Sequence, residues 1–486
     1  MGSRLCDAGL VHHPSPALSS PHVVVVGAGI TGLAAAYTLA RSHLAPRVSV
    51  LEAGDAIGGK LRSRDVGGMT LDVGAEALLY RRPEAVELAV AVGLGDAVEH
   101  PATSTAGLWT RGRMRSLPPT VMGVPANLAA LGASRVLSTA GLLRAGLERA
   151  LPTRRVAGDV AVGEYVAARC GSEVRDRLVE PLLGGVYAGR ADELSLRAVV
   201  PQLSPALDDG RSLLAAAAGV RRDQSSDSPV FAGLVGGVAQ LAPAVAAAAG
   251  AEVLTGVTLR SVELLAAGRW RLVTGPVPDP WALEADAVVL ALPARAASRV
   301  LLAACPPAAA ELAGIEYASV AVVTLAYDAA AFPAAFAGSG FLVPPVDGRL
   351  VKACTYSTNK WSWLRRAAGD MVVVRCSVGR YGEVGELQRE DEDLAALAAA
   401  DLADATGVRG RPLDAVVTRW GGSLPQYAVG HLDRVARIRA AVARQPGLAV
   451  CGAAYDGVGV AACIASAQRA AAAVLRSLAA RERMQP

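Results

Sequence analysis

The sequence predicts an α/β fold in which one domain is assembled from separate stretches of chain. Three observations predict it. Four successive valines, Val23 to Val26, run into a glycine-rich turn and then a helical pattern. Short apolar or alternating segments, typical of strands, recur between residues 251 and 378. Near its C-terminus the chain repeats the opening in outline, as a strand, a glycine turn and a long helix. At 486 residues the chain exceeds one simple core and suits two or three domains. With 52% hydrophobic and 19% charged residues it is a packed globular protein, not a disordered one.

The first strand, His22–Val26, is apolar through its valines, as expected for a strand buried on both faces of a parallel sheet. A helix is expected over 30–42, then a strand over 48–51 that ends at Glu52; together they make one βαβ unit. Residues 85–217 read as mostly helical, broken at Pro118-Pro119, Pro125, Pro152 and Gly184-Gly185. The polar stretch 221–229 is expected to be an exposed loop. Residues 228–251 carry no charge and are long enough to span a bilayer. Gly233, Gly236, Gly237 and Pro243 interrupt them, however, and alanine contributes little transfer energy, so a buried helix is expected instead.

Strands are expected at 253–254, 257–264, 269–273 and 287–292, returning to the first domain. A second β-rich region covers 320–327, 340–343, 351–356 and 371–378, with a helix near 391–405. The last unit is a strand at 448–451, a glycine turn and a helix over 461–479. The expected organisation is a loose extension at 1–20, a discontinuous α/β domain at 21–84, 230–300 and 415–486, an inserted helical subdomain at 85–229, and an α+β substrate domain at 301–414.

Composition excludes several functions. The formal charge is +4, from 48 basic and 44 acidic residues, and no basic cluster is interleaved with aromatics, which argues against nucleic acid as a partner. The modest positive balance favours an anionic small substrate. Only three of the basic residues are lysines: Lys60, Lys352 and Lys360. Seven scattered cysteines include no CxxC pair, and six histidines form no cluster with them, so neither a disulfide framework nor a metal site is expected. Reduced thiols fit a cytoplasmic protein. The first twenty residues lack the apolar run of a signal peptide, and Cys6 stands where a myristoylation signal needs Ser or Thr.

Gly27-Ala28-Gly29-Ile30-Thr31-Gly32 follows the first strand and opens the first helix. Each glycine has a physical reason in a Rossmann-like dinucleotide site. Gly27 makes the tight turn, Gly29 lets a pyrophosphate approach the backbone, and Gly32 lets helix and strand pack closely. The helix start offers unpaired N–H groups and a positive dipole end to phosphates. Glu52, twenty residues past Gly32, is placed to accept hydrogen bonds from ribose hydroxyls.

Gly58-Gly59-Lys60-Leu61-Arg62 resembles the second glycine pair of the flavin amine-oxidase superfamily, and Leu71-Asp72-Val73-Gly74-Ala75-Glu76 resembles its stretch that passes the flavin. That resemblance makes FAD, rather than NAD, the expected dinucleotide. Tyr455-Asp456-Gly457-Val458-Gly459-Val460 then leads into the last helix, whose start would stabilise negative charge on the flavin ring.

Three further motifs resemble the porphyrinogen oxidases of haem biosynthesis. They are Glu180-Pro181-Leu182-Leu183-Gly184-Gly185-Val186-Tyr187-Ala188-Gly189 with Leu194-Ser195, then Lys360-Trp361, then Trp420 with Leu424-Pro425-Gln426-Tyr427-Ala428-Val429-Gly430-His431. The similarity runs over 23–475. It implies a six-electron oxidation of a tetrapyrrole in three flavin turnovers, each moving a hydride to flavin N5, with oxygen as acceptor and hydrogen peroxide released. It also implies that Gly27 to Gly32, Glu52, Ala53, Lys60, Gly74, Ala75, Glu76, Ala77, Val257, Trp420, Val458, Gly459 and Val460 line the FAD. Val257 rests on strand position alone.

Substrate propionates call for basic forks: Arg81 and Arg82 first, then Lys360, over a floor at Gly185 and Tyr187. Animal and plant relatives carry an arginine in the stretch matching Gly74 to Ala77, where this chain has Glu76. The departure resembles the bacterial branch that acts on coproporphyrinogen III, ahead of protoporphyrinogen IX. Some family members bind membrane surfaces, and a downstream chelatase is an expected transient partner. An amine oxidase, a carotenoid desaturase and a non-catalytic flavin-binding protein are the alternatives.

Overall fold

The computed structural model describes residues 20–223, 229–266, 268–332 and 337–483. The 1–20 extension, apart from Ser20, and most of the 221–229 loop lie outside them. Two sheets organise the molecule. The first is five-stranded and wholly parallel, in the order Glu252–Leu254, Arg47–Leu51, His22–Val26, Ala287–Leu290, Leu448–Val450.

The four valines explain why this sheet is central. Val23 and Val25 face a core shared with the helices Ile30–Ala40, Leu241–Ala249 and Val460–Glu482. Val24 and Val26 face a second core beneath a small three-stranded sheet and the helices Ala294–Leu301, Pro306–Ala313 and His431–Val442. Both faces are covered, as an apolar run requires. All five strands run the same way, so the Ile30–Ala40 and Val460–Glu482 helices both begin at the sheet's C-terminal edge, where open α/β sheets bind ligands.

The second sheet has seven strands, in the order Asp414–Pro425, Tyr317–Asp328, Met371–Val378, Val351–Tyr356, Gly340–Leu342, Ala106–Thr110, Arg113–Ser116. One face packs on the helix Asp391–Thr406 through Leu394, Ala398 and Leu402, which are spaced to form a single stripe. Asp391, Glu392 and Asp393 complement that helix's N-terminal dipole, and Gly407, at φ 75°, ends it. The opposite face is different. Leu342, Ala353, Thr355, Ser377, Val322 and Trp420, which share it by register, are only half-buried. Thr324, Arg375 and Thr418 on the same face are buried, so it is the less covered side of the sheet, not a bare one.

The structure departs from the sequence expectations in several places. The hairpin Ala106–Thr110 and Arg113–Ser116 falls within the stretch read as mostly helical and extends the seven-stranded sheet. Residues 415–425, grouped by sequence with the discontinuous α/β domain, lie in the strand Asp414–Pro425, which pairs with Tyr317–Asp328 in the seven-stranded sheet. Strand Trp281–Ala285, which pairs with Trp270–Thr274, was not expected, and the strand expected over 257–264 begins at Leu259.

The uncharged 228–251 stretch is not one helix but a strand, Phe231–Leu234, a turn at Gly236 and Gly237 with φ 89° and 101°, and the helix Leu241–Ala249. Gly233 needs to be glycine because a Cβ there would lie 2.7 Å from the Trp361 ring. Among the described residues no helix is long and apolar enough to cross a membrane. Gly184 and Gly185 do not break a helix; they lie inside Glu180–Tyr187, which ends at Ala188 with φ 50°. A glycine costs a helix about 1 kcal/mol. Neither has a Cβ to fill the space before the sheet, and Gly185 lies beside Leu342.

Candidate active site

The glycine turn has the geometry its three positions require. Gly27 sits at φ 100°, and a Cβ there would meet the Ala291 carbonyl at 2.6 Å. At Gly32 a Cβ would lie 1.8 Å from the Gly27 carbonyl. Nothing lies within 4 Å of where a Gly29 Cβ would stand. The turn is therefore closed behind Gly27 and Gly32 and open in front of Gly29. Glu52 Oε2 accepts from the Ala28 N–H at 2.7 Å, and Oε1 accepts from the Gly54 N–H at 2.8 Å. Val257 donates its N–H to the Glu52 carbonyl at 2.8 Å, and Ala53 is exposed beside them.

Distant segments close around this turn. The Gly58 N–H donates to the Ala28 carbonyl at 2.8 Å, and Gly59 lies against Gly29. Gly74 is pressed between the Lys60 carbonyl, 1.9 Å from where a Cβ would stand, and the Trp420 ring, at 3.2 Å. Trp420 Nε1 donates to the Val73 carbonyl at 3.2 Å. The Cys463 thiol, in the first turn of the last helix, bonds with the Thr31 side chain of the first helix, so the two helix starts adjoin. Gly459 caps the last helix with open space before it, between Val458 and Val460, both half-buried. Lys60 faces the same region: the surrounding walls limit its hydration and lower its pKa, while Cys463 nearby raises it, and the side chain still meets solvent.

Next to Gly74 lies a buried charge cluster that the sequence did not announce. Glu76, its side chain 13% exposed, pairs with Lys360 at 2.7 Å and with Arg375 at 2.5 Å, and accepts from Ser357 at 3.2 Å. Arg375 also donates to the Gly74 carbonyl at 2.6 Å, tying the cluster to the glycine segment. Burial pushes the Glu76 carboxyl up, but Lys360 and Arg375 outweigh it and hold it at about 2. Asp72, across a small cavity from the pair, accepts from the Val238 and Ala239 N–H groups at 2.6 and 2.9 Å. Burial outweighs those bonds and Arg375, and Asp72 rises to about 6. Ala77 packs beside this cluster.

The expected substrate residues divide. Arg81 and Arg82 are both exposed. Arg82 stands close enough to Tyr187 to oppose the effect of burial, which raises that phenol to about 12. Tyr187 is tilted against Tyr427 with ring centroids 5.6 Å apart. The Tyr427 hydroxyl accepts from the Gly457 N–H at 2.7 Å and donates to the Ala453 carbonyl at 2.5 Å, linking the Gly185–Tyr187 region to the last glycine turn. Lys360 does not stand alone as a basic fork. It is committed to Glu76, with its Nζ 5.9 Å from the centroid of the exposed Phe231 ring.

Sequence reading missed Asp72, Ser357, Arg375 and Tyr427 as members of the site. One signal was present: Arg375 interrupts the apolar strand Met371–Val378, and an arginine buried in a strand needs a partner.

Two helix starts, a carboxylate at the end of a strand and an unobstructed glycine together fit a dinucleotide. The model for flavin containing amine oxidoreductases matches residues 30–475. The coproporphyrinogen III oxidase of Mycobacterium tuberculosis is 37% identical, over 93% of this chain and 97% of its own. The protoporphyrinogen oxidase of Bos taurus is 31% identical, over 93% and 98%. A crystal structure from Exiguobacterium sp. 255-15 superposes with a TM-score of 0.83 at 30% identity, covering 95% of this chain and 100% of that one. The chain belongs to the flavin-containing amine oxidoreductase family, and its cofactor is FAD.

Proposed function

We propose that the chain is an oxygen-dependent coproporphyrinogen III oxidase of haem biosynthesis, removing six electrons per tetrapyrrole and releasing hydrogen peroxide. The observation that carries this reading is the extent of the likeness to the Mycobacterium tuberculosis enzyme, 37% over 93% of this chain. The family match over 30–475 takes in Glu52, the charge cluster, the sheet wall and the helix bearing Gly185.

FAD supplies the electron acceptance; the chain supplies binding and electrostatics. In this reading the N–H groups after Gly29 take the pyrophosphate, Glu52 turns to the ribose with Ala53 and Val257 beside it, and Lys60, Gly74 to Ala77, Trp420 and Val458 to Val460 follow the ring. Glu76 stays ionised at any working pH, since two cations hold it at about 2, and so cannot serve as a proton acceptor. Its role is to hold Lys360 and Arg375 in place behind the Gly74 segment. Arg82, Arg81, Gly185 and Tyr187 border the space left for the substrate.

A second reading, protoporphyrinogen IX as substrate, is favoured by the 31% identity to the bovine enzyme. The test is turnover of coproporphyrinogen III, protoporphyrinogen IX and a simple amine side by side, followed by porphyrin fluorescence and peroxide. Coproporphyrinogen III should react fastest. Equal rates for the two porphyrinogens would sink the preference, turnover of the amine alone would make the chain an amine oxidase, and silence at full FAD loading would favour a non-catalytic protein.

A further inference from the structure

Two buried cations stand side by side at one end of the sheet wall, short of anions among the described residues. Lys352 is 4% exposed, and its Nζ donates to the Gly379 carbonyl at 2.7 Å. The Arg380 side chain is 11% exposed; Nη1 is 3.6 Å from Glu383, and the buried Nη2 has no hydrogen-bond partner among the described residues. Arg380 and Glu383 face Lys352, and Glu383, Glu180 and Arg190 face Arg380.

The two carboxylates do not suffice. Glu383 is 43% exposed and divided between Arg380 and Arg190, while Glu180 already accepts from the Ala191 N–H at 2.9 Å. Burial, then the repulsion of Arg380, brings the Lys352 ammonium down to about 7. Burial lowers Arg380 as well. Buried charge that is only partly compensated is unfavourable, so the arrangement is improved when an anion joins it.

In the porphyrinogen reading the half-buried face of the seven-stranded sheet is one wall of the substrate cleft, and the pair borders it. The pairing of Val351–Tyr356 with Met371–Val378 slips between Val351 and Ala353, which places Lys352 at an irregularity able to re-aim a side chain. Ala353, the next residue, and Ser377, three before Arg380, both lie on the half-buried cleft face. The Tyr381 N–H donates to the Ala188 carbonyl at 2.7 Å, which joins the Arg380 loop to the end of the helix carrying Gly185. Only three lysines exist in the chain, so a lysine buried here is not a product of surface composition. An ammonium, unlike a guanidinium, can lose its charge when buried and regain it when an anion binds.

We propose that Lys352 and Arg380 form a carboxylate-binding subsite of the cleft, which takes one propionate of a multiply carboxylated tetrapyrrole. The assignment rests on the porphyrinogen reading above. The carboxylate accepts from Arg380 Nη2 and Lys352 Nζ, and supplies the negative charge the pair lacks. Because Lys352 must be protonated to bind, affinity falls as pH rises above about 7.

The test uses the FAD-loaded full chain titrated with coproporphyrin III from pH 6 to 9, followed by the shift of the porphyrin absorption band. Wild type should bind, more weakly above pH 7. Lys352→Met and Arg380→Gln should each weaken binding about tenfold or more at unchanged FAD content, in line with loss of a charge-assisted bond. Lys352→Arg should keep the affinity and lose the pH dependence. Binding by Lys352→Met and Arg380→Gln within twofold of wild type overturns the subsite. Should those variants fail to fold, a Lys352→Arg profile that falls with pH as wild type does overturns it instead. A wild-type protein that binds no porphyrin and oxidises no porphyrinogen removes the functional reading, and the subsite with it.

Discussion

At the glycine turn after His22–Val26 the groups offered to a ligand are backbone N–H groups, and side chains matter chiefly by being absent. At the sheet wall the groups on offer are buried charges brought in by side chains from remote segments of chain. The first region is built by a short run of chain between Gly27 and Gly32. The second needs Glu76, Lys360 and Arg375, which are nearly 300 positions apart at the extremes. One consequence is that damage in the two regions should look different. Substitution at the turn acts through steric exclusion, of either the fold or the cofactor. Substitution in the charge cluster acts through electrostatics and carries a pH signature.

The sharpest test of that contrast lies within the turn itself. Gly32→Val should be the most damaging change, because its Cβ would lie 1.8 Å from the Gly27 carbonyl, a backbone atom that cannot move aside. A loss of at least about 4 kcal/mol is expected, read as insoluble expression or a large fall in Tm. Gly29→Val should leave the fold alone, since space is open there and Gly29 already has φ −68°. It should instead purify colourless, because the added side chain fills the pyrophosphate position. A yellow Gly29→Val protein would contradict the phosphate assignment.

Glu76→Gln comes next. It leaves Lys360 and Arg375 buried with no carboxylate between them, and a shift from 4.5 to about 2 corresponds to about 3 kcal/mol. The sign follows from the depressed folded pKa. The stabilisation is fully present above pH 4.5 and disappears as pH falls toward 2. Urea melts of wild type and Glu76→Gln should therefore differ at pH 7 and converge on acidification. A difference that persists undiminished at pH 2 would mean that Glu76 acts through packing, not charge. Asp72 has the opposite sign: its pKa is raised from 3.8 to about 6, so its contribution favours the folded state increasingly as pH falls through that interval.

The same contrast explains what could be read from the sequence. Gly27, Gly29 and Gly32 fall at a spacing dictated by backbone geometry, so position alone conveys their role, and Glu52 follows from the length of one βαβ unit. Glu76 has no local rule of that kind. Its neighbours Lys360 and Arg375 come from a helix end and a strand interior, and only tertiary folding joins them. Gly184 and Gly185 show the converse hazard. As a pair they look like a break, yet packing keeps them helical and uses the missing side chains to leave space before Leu342. The Ala106–Thr110 hairpin was hidden because its neighbours in the sheet lie more than 200 residues away.

Between these extremes stand Arg81 and Arg82, adjacent in sequence and both exposed. The sequence put them level as propionate ligands; the surroundings of Arg82 favour it over Arg81. Arg82 acts on the Tyr187 phenol, which packs on Tyr427 and through it on the glycine turn at Gly457. A guanidinium there acts on Tyr187, at the end of the helix carrying Gly185. Arg82→Ala should raise KM for a porphyrinogen roughly tenfold, the loss of one charge-assisted hydrogen bond, with FAD content and Tm unchanged. Arg81→Ala should change KM less than about threefold, as expected for an exposed charge at the border that does not act on Tyr187. If Arg81→Ala proves the more damaging variant, the substrate lies on the other side of this pair. Tyr187 would then belong to the packing of the cleft and not to its lining.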